Sequence, residues 1–155
     1  MNSHYPVQPK IRFIFLSAVV YILLSGFSVQ IKADENEVII IGNPDIFEST
    51  LTKKEIRDIF LEKKRKWTDG KEIVLTVMYH STIHETFMIR YINKTPAQFL
   101  NFCKHLVFVG QGRFPKAFSS EEEMMDYIEK TSGAIGYLSQ KPPEGKKLKI
   151  ITLTE

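Results

Sequence analysis

The run Glu37-Val38-Ile39-Ile40-Ile41-Gly42 constrains this chain more than any other segment. Its apolar residues are consecutive rather than alternating, and they are β-branched. That pattern predicts a strand covered on both faces. Gly42, Asn43 and Pro44 then close it as a turn. A sheet covered on both faces needs helices in the intervening sequence, and the signals for them follow.

Thr52 with Glu55 three residues later forms a capping box, ahead of an apolar face of Ile56, Ile59 and Phe60. Thr68-Asp69-Gly70 is a turn, and Ile73 to Tyr79 reads as a second strand. Ser81 or Thr82 caps a second helix carrying Ile83, Phe87 and Tyr91. Thr95-Pro96 opens a third, with Pro96 at its first position and Phe99, Phe102, Cys103 and Leu106 as its face. Val109 to Pro115 is a loop. Ser120 caps a fourth helix through Thr131, whose first turn holds Glu121, Glu122 and Glu123, where acids favour the helix dipole. Gly133 to Leu138 and Leu148 to Leu153 are the last strands. The order β-α-β-α-α-α-β-β predicts a three-layer α/β sandwich on a small mixed, mostly parallel sheet.

Ahead of this alternation stands a segment of different character. Lys10 and Arg12 flank an apolar run, Phe13 to Val29, and Ile31-Lys32-Ala33 suits a signal peptidase. The expected division is a signal peptide over 1–33, cut after Ala33, and one domain over 34–155. An uncleaved membrane anchor is the competing reading, weakened by Ser17, Ser25, Gly26 and Ser28. The segment also decides what charge means here. The chain has 21 basic and 18 acidic residues, and Lys10, Arg12 and Lys32 account for the excess, so the domain itself is neutral and nothing points to nucleic acid. The single cysteine, Cys103, forms no internal disulfide and no thiolate cluster for zinc.

Few residues offer chemistry. His80 and His84 are four apart, but Glu85 follows the second histidine, so the zinc-protease spacing is absent and no metal is expected. Cys103 sits at core spacing and reads as a buried thiol. The basic run Lys63 to Lys66 reads as a solvated loop, with Trp67 packing back. No nucleophile is spaced with a base, so the chain is read as a non-enzyme without a cofactor. The better signal is the helix start at Ser81-Thr82 directly after a strand, which offers backbone N–H groups and two hydroxyls to an anion. Asn43 would join this edge if the strands ran parallel, and Gly110-Gln111-Gly112-Arg113 would add a backbone nest and a guanidinium. Ser81, Thr82, Asn43 and Arg113 are the expected anion-binding residues.

Several pieces together resemble the phosphate-binding proteins of ABC uptake systems, as a short single-domain relative of the type-II periplasmic-binding class. They are Asn43-Pro44 after the first strand, the segment LTKKEIRDIFLEKKRKWTDG from Leu51 to Gly70, and Gly133-Ala134-Ile135-Gly136-Tyr137. The resemblance spans most of residues 38 to 153 and implies one lobe of such a protein, exported to the periplasm. It also implies phosphate or a related oxyanion as ligand, held in part by hydroxyls at a helix start, which Ser81 and Thr82 match. The family's arginine has no clear counterpart and its glycine is missing.

Two functions follow. One is a solute-binding protein for an oxyanion, completing its site by homodimerising or by docking on a partner. The other is a ligand-free interaction module serving a membrane sensor or transporter.

Overall fold

The computed structural model describes residues 38–154, and the proposed leader lies outside them. Six strands form one sheet: β1 Ile39–Gly42, β2 Thr50–Thr52, β3 Val74–Met78, β4 Lys116–Phe118, β5 Ala134–Leu138 and β6 Lys149–Thr154. The spatial order is β2-β6-β1-β5-β3-β4. β1 is antiparallel to both of its neighbours, β5 and β6, and every other pairing is parallel. Five strands therefore point one way and β1 alone points back. The mixed, mostly parallel sheet expected from the sequence is present. The pairing of Ile40 with Ile151 also sets the start of β1 beside the end of β6.

The helices are α1 Lys53–Phe60, α2 Thr82–Phe87, α3 Pro96–Phe108 and α4 Glu121–Lys130. α2 continues through a π turn, Met88–Ile92, which stops at Asn93 in the left-handed region. Each start is capped as its sequence dictates. Thr52 and Glu55 close a capping box on α1, and Thr95 and Gln98 close another on α3. Ser81 caps α2 by accepting the His84 N–H, so Ser81 is the cap rather than Thr82, and no Thr82–Glu85 box forms. Ser120 caps α4.

The two faces of the sheet are told apart by neighbouring residues of β5. Tyr137 packs on Phe87 of α2, with ring centroids 3.9 Å apart, and on Phe60 of α1. Gly136 points the other way, where a Cβ would collide with Met124 and Ile128 of α4. The result is the three-layer sandwich, and β1, the run that opened the reading, has Ile40 and Ile41 wholly buried.

Two strands escape the sequence reading. β2 and β4 are each three residues long and form the two edges of the sheet. α3 departs in another way. Only Phe99 and Cys103 of its expected face are buried, while Phe102 and Leu106 are half-exposed. Leu100, Val107 and Phe108 of the same helix are exposed.

Candidate functional site

The ends of β2, β3 and β4 lie on one edge of the sheet, and each leads into a helix: α1, α2 and α4. A cleft of about 750 Å³ opens there between the end of β3, the start of α2, the first half of α3 and the approach to β4. Open α/β sheets place ligands at this carboxyl edge.

The turn from β3 into α2 shapes the cleft's polar end. His80 takes a left-handed conformation, φ 41°, which swings the chain out of the strand so that Ser81 enters as the cap. Ser81 Oγ accepts the His84 N–H at 3.2 Å, which leaves its own hydroxyl hydrogen for a ligand. The amides of Thr82 and Ile83 lie in the first turn, ahead of any intrahelical acceptor. Ser81 and Thr82 thus meet at the cleft as expected.

His84 is the residue that sequence reasoning undervalued. It lines the cleft yet is only 9% exposed. Its Nδ1 lies 2.5 Å from the hydroxyl of Tyr137, which is fully buried. That hydroxyl also accepts the Met78 N–H at 3.1 Å, and among the described residues Nδ1 is the acceptor within reach of its own buried hydrogen. The imidazole is then neutral with its proton on Nε2, a donor locked by its neighbours. Burial holds the His84 pKa below its ordinary value, and His80 nearby acts in the same direction. Burial likewise raises the Tyr137 hydroxyl, keeping it a neutral donor. The spacing of His84 to the Ser81 cap is visible in the sequence, but its partner is 53 residues away.

The structure does not bring the other expected residues here. Because β1 runs against β3, Asn43 lies on the opposite edge of the sheet. It is buried, and its amide donates to the carbonyls of Ile128 at 2.8 Å and Glu129 at 3.1 Å, fastening the end of α4. Arg113 pairs with Glu72 at 2.9 Å on a neighbouring hollow. The loop before it is a helix ending rather than an anion nest. Gly110 adopts φ 69°, and its N–H and that of Gln111 return to the carbonyls of Val107 and Leu106.

The remaining motifs resolve into structure. Lys63, Lys64, Arg65 and Lys66 each face an acid, respectively Asp58, Glu55, Glu62 and Glu72. Trp67 is buried and donates to the Gly133 carbonyl at 2.9 Å. Cys103 is buried, and burial pushes its thiol up to about 11, far from the range of a nucleophilic thiolate. Among the described residues no His, Cys, Asp or Glu cluster is arranged to hold a metal.

No protein-family model and no curated protein matches the chain in sequence. Solved structures do match in shape. A phosphate ABC transporter substrate-binding protein from Clostridium perfringens with bound phosphate aligns over 75% of this chain and 44% of its own, with a TM-score of 0.58 and 13% identity. An ABC-type phosphate transport receptor from Vibrio cholerae covers 75% and 45%, with a TM-score of 0.53 and 14% identity. PstS from Borrelia burgdorferi covers 75% and 46%, with a TM-score of 0.52 and 18% identity. The chain spans less than half the length of each of these structures, and what it shares with them is the fold, a layered α/β unit of the kind found in phosphate-binding proteins.

Proposed function

We propose that this protein is an exported solute-binding protein that holds phosphate or a similar oxyanion group at the cleft and works with an ABC-type uptake system. The observation that carries the reading is the convergence of Ser81, the first-turn amides of α2 and the locked imidazole of His84 on one end of that cleft. All three offer hydrogens and suit an acceptor. The likeness in fold to a substrate-binding protein with bound phosphate supports it. The leader read in residues 1–33 supports export, and the proposed compartment is the periplasm.

The test is thermal unfolding of the purified protein with millimolar phosphate, sulfate and organic oxyanions at constant ionic strength. A ligand at about 100 times its dissociation constant stabilises the native state by about 2.7 kcal/mol, a shift of several degrees at this size. The Ser81→Ala/Thr82→Ala double variant should lose that shift while sacrificing about 1 kcal/mol of intrinsic stability as a cap is removed. An undiminished shift in the variant would remove the site from this corner.

A second reading is favoured by α3. Nine of its thirteen residues are apolar, yet the helix buries little more than Phe99 and Cys103 and leaves Phe108 89% exposed. An apolar face of this kind on a soluble domain marks a contact surface. In that reading the domain is an interaction module for a membrane sensor, a transporter or a second copy of itself. Absence of any oxyanion shift, together with concentration-dependent sedimentation or capture by a membrane fraction, would favour it.

A further inference from the structure

We infer that the ligand's head is a singly charged oxyanion carried on an apolar body, so that the cleft prefers an organic monoanion to inorganic phosphate. The inference rests on the oxyanion reading above and narrows it to a substrate class.

Size gives the first argument. A volume of about 750 Å³ lies within the range of sites for whole organic ligands. The polar end made by Ser81, Thr82 and His84 occupies one corner of it. Beyond that corner the lining is mostly apolar, with His80, Glu85 and Thr95 as its polar members, and Tyr79, Leu100 and Phe114 within it are 57%, 46% and 52% exposed. A small hydrated ion would leave those side chains in water, whereas an apolar body would cover them.

Charge gives the second. Among the described residues no lysine or arginine lines the cleft, and one carboxylate, Glu85, does. Arg113, the cation expected nearby, is outside the lining and pairs with Glu72 at the surface. A dianion entering here meets dipoles without a counter-charge and repulsion from Glu85, in a site that strips part of its hydration. A single charge lowers both penalties. The head must still accept hydrogen bonds, because Tyr137 fixes His84 with its proton on Nε2.

The test compares three compounds by calorimetry on the purified protein at constant ionic strength. Benzenesulfonate carries both the single charge and the ring. Inorganic phosphate carries the head alone, and benzenesulfonamide is the neutral form of the same shape. Benzenesulfonate should bind at least about tenfold tighter than either, since half-burying a ring supplies that much. Phosphate binding as tightly as benzenesulfonate would overturn this inference and leave the oxyanion reading standing. Benzenesulfonamide binding as tightly as benzenesulfonate, or no binding by any of the three, would overturn both. The variants Leu100→Ser and Phe114→Ser alter exposed positions and should keep the melting temperature. They should lower benzenesulfonate affinity toward that of phosphate, and a preference retained in both would remove the apolar body from this wall.

Discussion

The two edges of the sheet use their polar groups in opposite ways. Where β1 ends, the chain satisfies itself. Asn43 spans to two carbonyls at the end of α4, its own Oδ1 accepts the Asp45 N–H, and Asp45 accepts hydrogen bonds from Ser132 and the Gly133 N–H. The Gly133 carbonyl in turn accepts the Trp67 indole. Where β3 ends, Ser81 keeps a hydroxyl hydrogen, His84 presents a protonated nitrogen, and Tyr79, Leu100 and Phe114 face solvent. At the first edge these groups satisfy one another, and the second is left partly open. The difference separates residues that hold the fold from residues free to act, although both sets look equally polar in the sequence.

The contrast breaks most severely at Gly133. This residue has φ 70°, and a Cβ there would run into the Glu72 carbonyl and press on the Trp67 indole. Gly133→Ala should destabilise the domain by more than about 3 kcal/mol, read as a drop in urea midpoint. Asn43→Ala comes next. It strands two α4 carbonyls and should cost about 2 kcal/mol. It should leave oxyanion binding per folded molecule unchanged, and a specific loss of binding would show that the two edges are not separable.

The smallest effect lies on the open edge and concerns pH. Burial depresses the His84 pKa in the folded state, so the unfolded chain binds its proton first as the pH falls. The contribution of neutral His84 is present above about pH 6.5 and is lost progressively below it. Melting temperatures from pH 8 to pH 5 should therefore fall more steeply for the wild type than for His84→Gln. Parallel curves would mean that the ring is not held neutral by its surroundings.

The parts of the fold legible in sequence are those decided locally. Thr52 with Glu55, Thr95 before Pro96 and Ser120 announce three helices within four residues of each start. The unbroken Ile39-Ile40-Ile41 run announces a strand covered on both faces. The direction of that strand was not legible, because it is set by pairing with β5 and β6, about a hundred residues on. Asn43 lies on the edge opposite the cleft for that reason alone. β2 and β4 are too short to show a period of two, and their extended form depends on their pairing partners. The site was half legible. A cap such as Ser81 leaves a local signature, but the lock on His84 is made by Tyr137, 53 residues away in the chain.

The side-by-side placement of the start of β1 and the end of β6 bears on how the domain hangs from anything attached to it. Both ends of the described segment, residues 38 and 154, lie on the edge where β3 ends, the edge that carries the cleft. A segment joined at either end of the described fold therefore leaves from the same edge as the cleft, and what it carries begins close to the cleft's mouth rather than across the domain from it.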